Sequence, residues 1–260
     1  MSSYQTINFE QSDRVVAITL NRPDAANGLN TVMAAELVDA ASRCQDASVK
    51  AVVLTANGKF FCAGGDLREM AGFGDQGAAQ VKSLADNLHR SISLFARMDA
   101  PLIVAVNGVA AGGGFSLSIT GDLVIAAESA AFTMAYSRAG LSPDGSSSYY
   151  LPRLIGLRRA QEMAFTNNRL SAAQALEWGL VNRVVADDDL LRVATEMATD
   201  LAKGSLGSHR MIKKLLLSTW NNDLETQMDE EAAGISQCLS SADGQEGMAA
   251  FLDKRIPVFK

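Results

Sequence analysis

The chain has 260 residues, 48% of them hydrophobic and 20% charged, a size at which roughly 75% of the unfolded surface can be buried without a disulfide or metal staple. Its 23 Lys and Arg against 29 Asp and Glu leave a net charge of −6, which argues against nonspecific nucleic-acid binding; no apolar run approaches the ~20 residues of a membrane span, and the opening Met1-Ser2-Ser3-Tyr4 has no leader-like charged and apolar regions. Three isolated cysteines (Cys44, Cys62, Cys238) and two histidines (His89, His209) give no zinc or disulfide spacing, so the expectation is a reducing, cytoplasmic setting with no metal site and no membrane partner.

Residues 4–9 (YQTINF) and 14–20 (RVVAITL) alternate apolar and polar side chains, the period of half-buried strands, and Asp13 between them suits a hairpin turn. Asn21-Arg22-Pro23-Asp24 breaks the second strand. Thr31 is placed as a helix N-cap, with Ala34, Leu37, Val38 and Ala41 along one face of the helix that follows. Residues 50–55 (KAVVLT) read as a buried strand ended by Asn57-Gly58, and 60–66 (FFCAGGD) as a glycine-containing loop. Residues 76–98 are predicted helical, 102–106 (LIVAV) a buried strand, 115–120 a short helical piece and 122–126 (DLVIA) another strand. Strand–helix alternation up to about residue 185 implies a layered α/β core with buried parallel strands. From 190 onward the pattern is helical only, over 190–203, 207–220, 223–239 and 243–253. The expected division is therefore a core of residues 1–190 and a helical part of residues 191–260. Asp187-Asp188-Asp189 reads as a solvated turn and helix cap.

Two glycine segments follow buried strands: Phe61-Cys62-Ala63-Gly64-Gly65-Asp66 and Asn107-Gly108-Val109-Ala110-Ala111-Gly112-Gly113-Gly114. The second opens a helix, where backbone N–H groups are unpaired and carry partial positive charge. Neither GxxxxGK[ST] nor GxGxxG is present, so no nucleotide-binding fingerprint is met. Two readings stay open. The loops converge two N–H donors on one carbonyl oxygen, an oxyanion hole, or the glycines serve tight turns and close helix–strand packing.

NRPDAANGLN (21–30), FFCAGGDL (60–67), PLIVAVNGVAAGGG (101–114), the glycine–leucine–x–Pro–Asp stretch at 140–144, LSAAQALEWGLVNRVV (170–185) and GQEGMAAFLDKR (244–255) together resemble the crotonase superfamily, the enoyl-CoA hydratase/isomerases. The matches run in order over nearly the whole chain. The resemblance implies an α/β fold, the crotonase (ClpP-like) ββα superhelix with a helical C-terminal trimerisation part, assembled as a homotrimer or a dimer of trimers. It implies an acyl-CoA thioester as substrate and no separate cofactor, coenzyme A being part of the substrate. Its oxyanion donors would be the amides of Ala63 and Gly113. Asp66 and Leu67 would lie at the CoA site, and Phe251 and Lys254 would contact CoA from a neighbouring region, Lys254 at the phosphates.

The family's hydratases use two glutamates. Their counterparts here are Ser116 and Tyr136, poor proton acceptors near neutral pH. Water addition needs both a base and an acid, so the resemblance points away from ordinary hydratase chemistry. Asp144 is the remaining carboxylate, read either as a helix N-cap or as the functional group. The same position holds an aspartate in a ring-epoxide phenylacetyl-CoA isomerase, as acid–base, and in chlorobenzoyl-CoA dehalogenase, as nucleophile. His89, twelve residues before Pro101, matches the dehalogenase's histidine base, and Tyr136 falls where that enzyme has a tryptophan. The favoured expectation is an enoyl-CoA isomerase with Asp144 as acid–base. The alternatives are an aryl-CoA dehalogenase with Asp144 as nucleophile and His89 as base, and a noncatalytic acyl-CoA binding protein. Cys62 is read as a small buried residue, Trp178 as packing and His209 as surface.

Overall fold

The computed structural model of the protein describes residues 4–260; the opening Met1–Ser3, read above for a leader, lies outside them. Six strands form the main sheet: β1 (Ile7–Ser12), β2 (Val15–Leu20), β3 (Ala51–Ala56), β5 (Leu102–Val106), β7 (Leu123–Ala127) and β10 (Arg183–Val185), paired in that order. β1 and β2 are an antiparallel hairpin that turns at Asp13 (φ +51°), and β2 to β10 run parallel. Every residue of β3 and β5 is buried, as a parallel sheet covered on both faces requires. A second sheet orders β4 (Phe60–Cys62), β6 (Val109–Ala111), β8 (Ala131–Thr133) and β9 (Leu170–Ser171).

The two sheets share a repeated connection. β3 passes to β4 and then to helices α2 (Leu67–Ala71) and α3 (Gly77–Arg97); β5 passes to β6 and α4 (Gly113–Ser118); β7 passes to β8 and then α5 (Ser147–Ile155) and α6 (Leu157–Thr166). This is a ββα spiral, the fold expected from the sequence. Helix α1 (Thr31–Arg43) precedes the first turn, and α7 (Ala172–Glu177) follows β9. The chain ends in α8 (Leu190–Ala202), α9 (Leu206–Ser218), α10 (Leu224–Ser240) and α11 (Ala242–Asp253).

Several local expectations shift. The first strand starts at Ile7, because Gln5 and Thr6 donate their amides to the Glu36 carboxylate of α1 and not to a strand. The cap of α1 is Asn30, whose Oδ1 accepts from Met33 N at 2.9 Å; Thr31 is the first helical residue. The start of the 60–66 loop is strand, since β6 offers a parallel partner. The aspartate trio forms a 3-10 turn, but no side chain caps α8; Asp189 instead pairs with Arg192 at 2.8 Å. Residues 190, 194, 198 and 202 form a buried stripe of α8 on the sheet, so the first helix after residue 190 belongs to the core. His209 is half-buried, and burial lowers its pKa. Trp178 packs on the core with the Arg159 guanidinium 4.8 Å from its ring centre.

Candidate active site

The sharp turns after β4 and β6 press against each other. Gly64 (φ +99°) and Gly112 (φ +51°) occupy conformations that side chains disfavour. A methyl on Gly64 would stand 3.0 Å from the Ala111 oxygen and 3.4 Å from Gly113 N. The amide of Gly113, the first residue of α4, has no partner within the chain among the described residues. Ala63 does not match the expected donor: its N–H points to the Ala26 carbonyl at 3.0 Å. The unpaired amide of this loop belongs to Gly65, two residues on, where the chain has paired with Leu29 through Gly64 O and Asp66 N.

Gly65 and Gly113 both line a cavity of about 380 Å³. Its walls are largely apolar, with Leu67, Met70, Val81, Leu84, Leu88 and Leu141 among them, and Asp144 and Tyr136 contribute polar groups. Asp144 is not the cap of α5. That place falls to Ser146, and Asp144 contributes only its backbone carbonyl, which accepts from Ser147 N and Oγ. Its carboxylate takes no part in the cap, and Oδ1 meets His89 Nε2 from α3 at 2.6 Å.

Ser116 and Tyr136 serve the Asp144 backbone. Ser116 Oγ, fully buried, donates to the Asp144 carbonyl at 2.7 Å; Tyr136 Oη reaches the same carbonyl at 3.0 Å and Ser116 Oγ at 2.7 Å. Burial pushes the Tyr136 phenol well above its ordinary pKa, so it is no base near neutral pH. Burial likewise raises the Cys62 thiol to about 12, in keeping with a packing role.

The remaining expected residues divide. Leu67 is exposed on the cavity rim. Asp66 is held elsewhere: its carboxylate pairs with Arg22 at 2.9 Å and accepts from the amides of Arg68 and Glu69, capping α2. Phe251, 80% exposed, and Lys254, at the end of α11, do not line the cavity that this chain forms.

Comparison with known proteins fits this geometry. The family model described as enoyl-CoA hydratase/isomerase matches residues 10–260. The chain belongs to the enoyl-CoA hydratase/isomerase family. It is 40% identical to a 1,2-epoxyphenylacetyl-CoA isomerase of Escherichia coli over 94% of each chain. It is 33% identical to a 4-chlorobenzoyl coenzyme A dehalogenase of Arthrobacter, covering 96% of this chain and 91% of that one. The crystal structure of an enoyl-CoA hydratase from Bacillus anthracis superposes with a TM-score of 0.93 at 34% identity, covering 98% and 99% of the two chains. Members of the enoyl-CoA hydratase/isomerase family thus carry several reaction names on one fold, and the side chains around the two amides must distinguish them.

Proposed function

We propose that this acyl-CoA enzyme is an enoyl-CoA isomerase. The thioester oxygen sits between the amides of Gly65 and Gly113. Asp144 removes a proton from one carbon, the electron pair passes into a dienolate held by those amides, and the same carboxylate returns the proton two carbons away. Amide donors placed where charge develops are typically worth roughly 2.7–4 kcal/mol each. The observation that carries this reading is that one carboxylate residue, Asp144, lines the same cavity as two amides left unpaired among the described residues. Double-bond migration needs one acid–base group, whereas hydration needs two.

Leu67 would contact the CoA, and Phe251 and Lys254 would reach it from another copy. Apolar residues exposed on α10 and α11, including Ile235, Leu239, Phe251 and Leu252, suit burial between copies in a homotrimer or a dimer of trimers. The three free cysteines suit a reducing cytoplasm. No cofactor beyond the CoA of the substrate is invoked. No helix of the described residues is long and apolar enough to cross a membrane.

The test is to give the protein a 3-enoyl-CoA and follow conjugated enoyl thioester against 3-hydroxyacyl-CoA. Conjugated product without hydration is expected; water addition at a comparable rate would overturn the reading. The short His89–Asp144 contact favours a second reading, aryl-CoA dehalogenation with Asp144 attacking the ring and His89 activating water. Chloride release from a halobenzoyl-CoA would establish it in place of the first.

A further inference from the structure

The two unpaired amides of the cavity are walled differently. A methyl built on Gly113 would meet Leu29 Cδ1 at 2.9 Å and Leu88 Cδ2 at 3.8 Å, both fully buried side chains. Gly65 lies outside the left-handed region that Gly64 and Gly112 occupy, so its conformation does not demand glycine. A methyl there would run into one side chain only, overlapping Met70 Cε and standing 3.4 Å from Sδ. Met70 thus lays the end of its thioether over Cα of Gly65, one bond from the unpaired amide nitrogen, and lines the same cavity. Its backbone is anchored from the other side. Met70 N donates to the Asp66 carbonyl at 3.0 Å, the Asp66 carboxylate caps α2 and pairs with Arg22, and Glu69 accepts from Thr31 N at 2.9 Å. The side chain itself is half-buried, unbranched and adaptable.

We infer that Met70 is a positioning residue for the oxyanion. Its methyl fills the space over Gly65, which keeps water away from that amide and holds the Gly64–Gly65 peptide in place as the thioester oxygen arrives. This rests on the oxyanion part of the isomerase reading and not on which proton Asp144 moves. Amide donors are strong in such a site because water is excluded and the dipoles need no reorganisation. A thioether is at most a weak acceptor, so Met70 covers the N–H without quenching it. With the side chain truncated, the space opens into the cavity and water competes for the donor. Outside the adjoining residues no other heavy atom comes within 4 Å of the place a methyl on residue 65 would take. That methyl would therefore refill the space that Met70 Cε vacates.

The experiment compares wild type, Met70→Ala, Met70→Leu, Gly65→Ala and the double variant Gly65→Ala/Met70→Ala. Each is assayed for kcat and KM on a 3-enoyl-CoA. Each is also examined by difference infrared spectroscopy with a bound saturated acyl-CoA carrying carbon-13 at its carbonyl, whose stretching frequency falls as amides grip the oxygen. Met70→Ala should lower kcat about 10-fold, less than the 10²–10³-fold typical of losing a whole donor. It should change KM less than kcat and raise the bound carbonyl frequency toward its free value. Met70→Leu restores bulk without sulfur and should return both readouts most of the way. Gly65→Ala should harm the wild type, where its methyl displaces the thioether into the cavity, yet improve Met70→Ala; that reversal of sign marks a shared space. Wild-type kcat in Met70→Ala, a fall in kcat with no carbonyl shift, or harm from Gly65→Ala in both backgrounds overturns the inference. A carbonyl unshifted on binding to the wild type overturns it together with the two-amide reading. Carbonyl shifts as expected but without turnover refute the isomerase reading alone.

Discussion

Substituting Gly114 by alanine tests whether the seating of α4 on β4 positions the Gly113 amide. The added methyl would stand 2.2 Å from the Cys62 carbonyl oxygen, 2.5 Å from Cys62 Cβ and 2.7 Å from the Cys62 carbonyl carbon. Cys62 is fully buried, and two of these atoms are backbone, so no rotamer change relieves the overlap. Restoring a 3.0 Å approach moves α4 and β4 apart by about 0.8 Å, and a misplacement near 1 Å can cost on the order of 10²-fold in rate. Overpacking a tight core adds about 1–3 kcal/mol of destabilisation. The assay pairs kcat on a 3-enoyl-CoA with the Kd of an unreactive acyl-CoA and with denaturant unfolding. Turnover should fall on the order of 10²-fold, toward the loss of a whole oxyanion donor, with a smaller change in affinity. Gly207→Ala on α9, whose methyl would have Ser205 Oγ 3.9 Å away as its nearest neighbour, is the control and should keep kcat with a stability gain of about 0.4–1 kcal/mol. A folded Gly114→Ala protein with wild-type kcat would refute the placement of the Gly113 amide in the transition state.

Asp144→Asn should lower turnover by about 10²–10⁴-fold while calorimetry still finds acyl-CoA binding; wild-type turnover would remove Asp144 from the mechanism. Arg22→Ala deprives Asp66 of its partner and should cost about 1.5–3 kcal/mol at neutral pH, measured by denaturant unfolding. Burial opposes ionisation of Asp66, but the Arg22 hydrogen bond and the Glu69 and Arg68 amides outweigh it and hold the carboxyl below its ordinary value. That stabilisation is complete above the unfolded pKa of ~3.9 and fades as pH falls through the lower folded value, so the gap between wild type and variant should narrow in acid; a constant gap down to full protonation would refute the coupling. Burial raises Cys44 and Cys62 to about 12, leaving almost no thiolate at neutral pH. Iodoacetamide should therefore modify only Cys238 in the native protein and spare activity; mass-spectrometric detection of modified Cys62 would show that the α4–β4 seam opens.

The long buried strands were legible because β5 and β7 are unbroken apolar runs and β3 is interrupted only by Thr55, each bounded by polar or glycine-containing turns, and the C-terminal helices by their spacing. The short strands β4, β6, β8 and β9 have two or three residues each. No period fits into that length, and they are strands only because the spiral brings them side by side. The Ala63 amide shows the same limit at the site. In Ala63-Gly64-Gly65 every residue is small, and which N–H stays free depends on the Ala26 carbonyl folding back from 37 positions upstream. The cap role of Asp66 did leave a local signal, an aspartate three residues before Glu69. The pairing of His89 with Asp144 left no local pattern, because it joins a helix and a loop 55 positions apart; only the resemblance to a dehalogenase put the two residues in one site.

The polar groups around Asp144 divide into those that could move a proton and those that fix the backbone. Ser116 Oγ, Tyr136 Oη and Ser147 Oγ all converge on the Asp144 carbonyl, at 2.7, 3.0 and 3.0 Å. Each neutral bond is worth about 0.5–1.5 kcal/mol, and together they hold the main chain at 144 against Gly145 and α5. Two of these three residues stand where the resemblance to hydratases would place glutamates. A carboxylate buried at position 116 would lie near Asp144, lose the hydroxyl bond to its carbonyl and raise the cost of ionising the pair. Replacing it with a serine removes a second acid–base group and fixes the remaining carboxylate in one place. A reaction that lifts a proton from one carbon and returns it to another along the same face needs that fixed geometry more than it needs a second proton donor, and this is the physical reason to favour migration over hydration.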